Sequence, residues 1–253
     1  MGKIIAITNQ KGGVGKTTTA VNLSSYLSEF DKKVLLLDID PQGNATSGLG
    51  ISKEEIGYTT YDLMIKKQDI YDVIMKTGLP NLFIIPANIQ LAGAEIELVN
   101  VLSRETVLKK SIQKIIDDYD FIVIDAPPSL GLLTVNALSA ATHVIIPVQA
   151  EYYALEGLTQ LLSTIELVKE HINSNLEIMG LLITMYDKRT NISQEVARQA
   201  KEYFGSKVFE TVIPRSVRLS EAPSFGKPIN LYDSSSPGAW AYRRLAKEVI
   251  ESG

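Results

Sequence analysis

Cysteine is absent from the 253-residue chain, which also has only two histidines and one tryptophan. The lack of cysteine excludes disulfides, thiolate metal centres and a cysteine nucleophile. Neither His143 nor His171 has a second histidine nearby to suggest a metal site, and the serines lack a plausible histidine base. No apolar run approaches the length of a membrane span and no signal peptide precedes the first apolar run, so we expect a cytoplasmic protein.

Negative charge predominates, but it is spread unevenly along the chain. Residues 1–184 hold 14 Lys and Arg against 21 Asp and Glu, a net charge of -7. Residues 185–253 hold 11 against 8, a net charge of +3. Such an asymmetry hints at a surface that binds a polyanion. Taken alone, however, ordinary solvated surface charge is the simpler explanation.

A glycine-rich loop follows the first apolar run. Residues 9–19 read NQKGGVGKTTT, and Gly15, Lys16 and Thr17 form the end of a phosphate-binding loop. In such loops backbone N–H groups surround the phosphates, the lysine neutralises them and the threonine hydroxyl binds Mg²⁺. Gln10 replaces the first glycine of the usual spacing, and an additional lysine, Lys11, stands beside it. The loop therefore predicts a nucleotide site with one cation still to be explained.

Apolar runs alternate with helical patterns along the whole chain. Continuous apolar strands separated by helices indicate an α/β fold with a largely parallel twisted sheet and helices on both faces. Because we find no internal repeat or long linker, we expect a single domain over residues 1–253. The patterns predict strands at 4–7, 34–37, 82–85, 121–124, 144–146, 178–183 and 208–213, and helices at 16–30, 104–117, 152–172, 191–204 and 237–251.

Acidic residues follow two of the predicted strands. Asp38 and Asp40 come at the end of the second strand and would point the same way in an extended chain. They could coordinate Mg²⁺ through water or position an attacking water, or they could simply form a turn with Pro41. Asp125 follows the run at 121–124, where phosphate-loop NTPases place the acidic residue that supports Mg²⁺.

Five segments in this order resemble those of one protein family. The segments KGGVGKT at 11–17, DIDPQGN at 38–44 and IDAPPS at 124–129 resemble the deviant Walker ATPases. The segments EYYALEG at 151–157 and PRSVRLSEAP at 214–223 are similar to the ParA/Soj chromosome-partitioning branch of that family. The resemblance spans nearly the whole chain and implies an ATP-driven dimerisation switch.

The resemblance also implies a role for each residue of the nucleotide site. Lys11 would cross the dimer interface to touch the partner's nucleotide, and Lys16 would hold the β- and γ-phosphates of ATP. Thr17 would bind Mg²⁺, which Asp125 would support through water, and Asp40 would orient the attacking water. Further contacts to phosphate are implied for Gly12, Gly13, Val14, Gly15 and Thr18, and contacts to adenine for Pro214 and Arg215.

Two partners follow from the same resemblance. The ATP-bound homodimer would bind double-stranded DNA without sequence preference through Arg189 and Arg218, and would thus associate with the nucleoid. A ParB-type protein would stimulate hydrolysis, and no stable membrane association is expected. The alternative is a MinD-like membrane-cycling ATPase, which would need a basic amphipathic anchor near Trp240. An amidotransferring synthetase on the same fold is less favoured, because we expect it to need an extra substrate domain.

Overall fold

The computed structural model describes residues 2–151 and 157–252. Its strands, in chain order, are β1 (Lys3–Ile7), β2 (Val34–Asp38), β3 (Met75–Lys76), β4 (Leu82–Ile85), β5 (Phe121–Asp125), β6 (His143–Gln149) and β7 (Glu177–Thr184). Within the described ranges these strands form one sheet in the order β3-β4-β2-β5-β1-β6-β7. Neighbouring strands run parallel, except for the short antiparallel pair β3 and β4 at one edge.

The helices connect the strands and flank the sheet. In chain order they are α1 (Lys16–Glu29), α2 (Asn44–Gly48), α3 (Thr60–Met64), α4 (Ile70–Val73), α5 (Ala94–Glu97), α6 (Val107–Ile112), α7 (Leu132–Ala140), α8 (Leu158–His171), α9 (Asn191–Phe204), α10 (Val217–Glu221), α11 (Ile229–Tyr232) and α12 (Pro237–Glu251). No helix in this part of the chain is long and apolar enough to span a bilayer.

Both faces of the sheet are buried, as the continuous apolar strands predict. On β1, Ile4 and Ala6 pack into one hydrophobic cluster, whereas Ile5 and Ile7 pack into a second cluster on the opposite face. This alternation follows from the two-residue period of a strand. The first cluster includes side chains of α6 to α9, and the second includes side chains of α1 and α12. The α/β fold and the largely parallel sheet are therefore confirmed.

The strand predicted at 208–213 is wrong. The segment follows the outer edge of β7 but joins it through one isolated bridge, between Leu181 and Val208, and through the N–H groups of Phe209 and Ile213, which donate to the carbonyls of Leu181 and Ile183. The reason is that the N–H groups of Glu210 and Thr211 donate to the Glu248 carboxylate on α12, at 2.7 and 3.1 Å, instead of to a strand. The side chain of Glu248 thus pulls the middle of the segment away from a regular ladder.

Two other elements differ from their predicted forms. The helix predicted at 104–117 is α-helical only over Val107–Ile112, because tight turns replace it from Gln113 onward. The helix α7 was not predicted, since nearly all of its residues are buried and leave no amphipathic period to detect. The start of the helix predicted at 152–172 falls on residues 152–156, which lie outside the described residues, and α8 covers the remainder up to His171.

Candidate nucleotide site

The candidate site lies at the carboxyl edge of the sheet, where β1, β2 and β5 end side by side. Asp125 on β5 is in register with Ile7 on one side and with Asp38 on the other. The loops that follow these strands therefore leave the sheet together. In open parallel sheets ligands bind at this edge, next to the strand at which the order reverses. Here that strand is β1, between β5 and β6.

The loop between β1 and α1 has the shape of an anion cradle. Gly13 and Gly15 take positive φ angles of 75° and 89°, which favour glycine, and Gly15 is the N-cap of α1. Apart from their neighbours in the chain, no atom of the described residues lies within 4 Å of the position where a Cβ of Gly12 or Gly13 would stand, so open space faces their backbone. The end of β7 anchors the loop, because the Thr184 hydroxyl donates to the Val14 carbonyl at 2.8 Å. A phosphate fits at such a helix N-terminus.

The two lysines of the loop point to different environments. Lys16 is only 7% exposed, and its Nζ donates to the Lys11 carbonyl at 3.1 Å. Burial lowers the pKa of Lys16, while Asp125 and Asp40 counteract that shift. The Lys11 side chain is 50% exposed, and its Nζ lies 3.9 Å from the Glu151 carboxylate. Lys16 thus faces the cradle, and Lys11 lies at its outer rim.

Asp38 holds the following loop together. One of its carboxylate oxygens accepts the Asp40 N–H at 3.1 Å, and the other accepts the Thr46 N–H at 2.9 Å and the Thr46 hydroxyl at 2.7 Å. Burial raises the pKa of Asp38, and the bonds from Thr46 and Asp40 oppose that shift. The sequence left Asp38 and Asp40 both open as groups that bind water or Mg²⁺. In the structure the Asp38 carboxylate instead accepts hydrogen bonds that hold the loop.

Asp40 lies closer to the surface of the site. It is 7% exposed, and one carboxylate oxygen accepts the Gln42 N–H at 2.9 Å. The Gly43 N–H also donates to the Asp40 carbonyl, which closes a tight turn. The turn fixes the carboxylate beside Lys16, close enough to act on its pKa. A carboxylate held in this way can orient a water molecule near a phosphate.

Asp125 is buried without a partner. Neither carboxylate oxygen has a hydrogen-bond partner among the described residues, although the side chain is fully buried. Burial raises its pKa well above the ordinary value and the nearby Asp38 raises it further, whereas the Thr17 hydroxyl, too poorly placed for a full hydrogen bond, lowers it. Buried charges are normally paired or bound to metal. The unsatisfied oxygens beside Thr17 therefore fit a Mg²⁺ bound directly or through water.

A cavity of about 560 Å³ opens beside the glycine-rich loop. Gly15 and Thr18 line it on one side, and Pro214 and Arg215 line it on the other. The predicted adenine contacts are therefore next to the predicted phosphate contacts, although some 200 residues separate them in the chain. Arg215 also lies 3.4 Å from Glu151, the same carboxylate that Lys11 approaches.

The two predicted DNA-binding arginines lie outside the nucleotide cavity. Arg189 pairs with Asp187 through two bonds of 3.0 and 2.7 Å, and Arg218 pairs with Glu221 at 3.0 Å. Arg189 lines a separate cleft of about 550 Å³. Sequence reasoning missed this cleft, because the spacing of α12 gave no sign that Trp240 would be 66% exposed. The other basic and aromatic side chains that line the cleft are Tyr186, Lys188, Arg215, Trp240 and Arg244.

Known proteins match the chain over its full length. An AAA domain family, AAA_31, matches residues 2–178. The sporulation initiation inhibitor protein Soj of Bacillus subtilis strain 168 is 60% identical over 253 residues, which is 100% of both chains. The chromosome-partitioning ATPase Soj of Treponema pallidum strain Nichols is 54% identical over 250 residues, covering 99% of this chain and 98% of its own. The chain belongs to the Soj/ParA family of chromosome-partitioning ATPases.

A solved structure shares the fold of this ATPase but has a different name. Cobyrinic acid a,c-diamide synthase of Mycobacterium smegmatis, with bound ATP analog and magnesium, superposes with a TM-score of 0.87 at 35% identity. The alignment covers 99% of this chain and 95% of that chain. A protein named as a synthase thus matches this chain over nearly all of its own length, so the expectation that such an enzyme needs an extra substrate domain does not separate the two classes. The two classes are separated by sequence identity, which is higher to the Soj proteins than to the synthase.

Asp125 and Asp38 give opposite expectations when each is changed to asparagine. Asp125→Asn should stabilise the nucleotide-free ATPase by about 1 kcal/mol, about 2–4 °C in Tm, because it removes an unpaired buried charge. Asp38→Asn should destabilise it by about 2–3 kcal/mol, because an amide nitrogen would face donors that now bond to a carboxylate. Thermal unfolding with EDTA measures both changes.

Nucleotide and pH supply the controls for this pair. Saturating ATP with Mg²⁺ should raise the Tm of the unsubstituted chain more than that of Asp125→Asn. Because folding raises the pKa of Asp125, the free energy of unfolding should fall as the pH rises from the ordinary carboxyl range through the raised pKa. The stability of Asp125→Asn should not fall in this way, since asparagine has no carboxyl proton to lose. A nucleotide-free Asp125→Asn that is less stable than the parent would contradict the assignment.

Proposed function

We propose that this family member is an ATP-dependent dimerisation switch that serves chromosome or plasmid segregation. The contrast between the two lysines of the glycine-rich loop carries the proposal. Lys16 is buried against the cradle, whereas the half-exposed Lys11 stands at the rim and pairs only weakly with Glu151. A lysine at the rim is placed to reach a nucleotide in a second subunit, as an arginine finger does when supplied in trans.

ATP and Mg²⁺ would occupy the site at the carboxyl edge. The backbone at 12–15 would surround the phosphates, and Lys16 would neutralise the β- and γ-phosphates. Thr17 and Asp125 would hold the Mg²⁺, which supplies further charge neutralisation when bound. Asp40 would fix the attacking water in line with the γ-phosphate. The remaining contacts, from Thr18 to phosphate and from Pro214 and Arg215 to adenine, follow from the cavity that these residues line.

DNA is the proposed ligand of the dimer, bound without sequence preference. The basic charge of residues 185–253 supports this, as does the cleft in which Lys188, Arg189 and Arg244 meet. Arginine suits phosphate because its donors form a fork. Arg189 and Arg218 each pair with a neighbouring carboxylate, so DNA has to compete with those pairs. Association with the nucleoid follows from such binding.

Binding to a non-specific duplex in ATP and in ADP tests the switch. We expect tight binding only in ATP, and Lys11→Ala should abolish the difference between the nucleotides. Arg189→Ala should weaken binding about tenfold and lower the salt slope by about one. Arg104→Ala is the matched control, because Arg104 also pairs with an adjacent acid, Glu105 at 3.0 Å, but lies outside the basic region. Equal binding in ADP, or an equal loss in the control, would contradict the proposal.

The membrane-cycling alternative is disfavoured by the packing of α12. Tyr242, Leu245 and Val249 are buried in the cluster that α12 shares with α1, so the apolar face of this helix is already covered. A membrane anchor needs that face to be free. Sedimentation with liposomes in ATP, without an ATP-dependent DNA complex, would favour the alternative.

The proposal also includes a ParB-type protein as the partner that stimulates hydrolysis. The Soj and ParA relatives support this partner.

A further inference from the structure

A helical segment from Ile89 to Asn100 is apolar on two opposite faces. It consists of α5 with a 3₁₀ turn at each end. Its inner face, formed by Leu91, Ala94 and Leu98, is completely buried. The opposite face, which we call the outer seam, is exposed and consists of Ile89, Ala92, Ile96, Val99 and, just beyond the segment, Leu102.

The outer seam has the pattern of a helix-packing surface. Its four members within the segment are spaced by three, four and three residues, and all four are exposed along the same side of the segment. The large side chains of the seam are 52% to 92% exposed. Contiguous exposed apolar surface of this kind marks an interaction site. An amphipathic helix is a partner that such a row of apolar side chains can accept.

Glu95 connects this segment to the loop of Asp125. It accepts the N–H groups of Leu132 and Leu133 at 2.9 and 3.3 Å, and so caps the start of α7. Residues 126–131 lead directly from Asp125 to this cap. The contact is close, since a Cβ on Gly131 would lie 2.4 Å from a Glu95 carboxylate oxygen. The segment that carries the outer seam thus also contacts the end of the loop that follows β5.

The other end of the outer seam adjoins the loop of Asp40. Ile89 and Gln90 line a cleft of about 810 Å³ together with residues 41–43. Gly43 packs against this end of the segment as well, because its Cβ position is 2.7 Å from the Ala87 carbonyl oxygen. The seam and the cleft are therefore continuous at Ile89. A ligand that covers both would touch the loop of Asp40 directly, and it would lie on the segment whose Glu95 caps the end of the loop that follows Asp125.

Charge selects the kind of helix that fits. Residues 41–66 and 86–103, which include the cleft and the seam, hold two lysines against five acidic residues. The seam segment itself has Glu95 and Glu97 and no basic residue. DNA would be repelled here, and a second copy of the same seam would bring like charges together. A basic helix would meet complementary charge.

We propose that the outer seam and the adjoining cleft dock a basic amphipathic helix of the protein that stimulates ATP hydrolysis. The inference rests on the proposed function, which requires such a partner. The apolar face of the helix packs on Ile96 and Val99, while its basic residues face the acidic rim. From there the contact acts on Glu95 at one end and on residues 41–43 at the other, so that docking positions both loops of the site.

A charge substitution with a matched control tests the docking surface. Val99→Lys places a cation on the seam, whereas Leu167→Lys places one on α8, where Leu167 is similarly exposed (55% against 52% for Val99). Basal hydrolysis should be unchanged in both variants. Stimulation by the ParB-type protein of the same genome should fall at least about tenfold in Val99→Lys only. Retained stimulation in Val99→Lys would overturn the docking proposal alone, whereas no stimulation of the unsubstituted chain would overturn the proposed partner as well.

Photo-crosslinking identifies what covers the seam. Because the chain has no cysteine, Ile96→Cys provides a single thiol for a benzophenone label. With ATP and the ParB-type protein present, we expect a crosslink to a basic amphipathic segment of that protein, and none from the control Leu167→Cys. A crosslink to a second copy of the chain, or no crosslink while stimulation persists, would overturn the proposal.

Discussion

Replacing Lys16 with alanine should abolish ATP binding, with a loss of affinity of at least about 100-fold, or about 3 kcal/mol. Lys16 is the buried cation of the glycine-rich loop, and Asp125 and Asp40 are the charges that most support it. Without it, the phosphates of ATP would meet these two carboxylates with no compensating charge. Isothermal titration with ATP and Mg²⁺ measures the loss.

Lys11→Ala is the control for the Lys16 variant. It removes a lysine of the same loop but leaves the cradle intact, since only the backbone carbonyl of Lys11 contacts Lys16. We expect Lys11→Ala to bind ATP within about threefold of the parent and to fail only in dimerisation. Unchanged nucleotide affinity of Lys16→Ala would remove the central assignment of the site. An equal loss in both variants would mean that the two lysines do not have separate roles.

Replacing Asp40 with alanine should slow ATP hydrolysis by about 10²- to 10³-fold and leave ATP binding intact. The carboxylate is placed to orient the attacking water, and none of its contacts among the described residues holds the nucleotide cradle. Its one described side-chain bond, from the Gln42 N–H, is local to the turn. Single-turnover hydrolysis, measured in the presence of the stimulating partner, gives the rate.

Asp38→Ala distinguishes a catalytic from a structural effect at this strand end. Because Asp38 accepts three hydrogen bonds that hold residues 40–46, its loss should lower the Tm along with the activity. Asp40→Ala should keep the Tm of the parent within about 2 °C. If Asp40→Ala hydrolyses ATP at the parental rate, another group positions the water.

The sheet and the glycine-rich loop could be predicted because their signals are local. Each central strand is a short apolar run, and the strand, loop and helix at 4–30 follow one another without interruption. The helices α9 and α12 were predicted to their end residues, since one face of each is apolar and the other is charged. Such patterns depend on neighbours in the chain and not on tertiary contacts.

Features that depend on distant contacts could not be predicted. The strand expected at 208–213 is lost because Glu248 takes its N–H groups. The sequence left the roles of Asp38 and Asp40 open together, and only the bonds from Thr46 show that Asp38 is structural. The outer seam was also hidden, because the exposure of Ile96 and Val99 depends on what α5 packs against.

The most direct test of the dimerisation switch is the mass of Asp40→Ala in solution, measured by light scattering with ATP and with ADP. We predict twice the mass of one chain in ATP and Mg²⁺, and a single chain in ADP. Adding Lys11→Ala to this variant should restore the single chain in ATP, because Lys11 would no longer reach the second nucleotide. A single chain in ATP for Asp40→Ala with ATP bound would contradict the account, as would a dimer that forms equally well without Lys11.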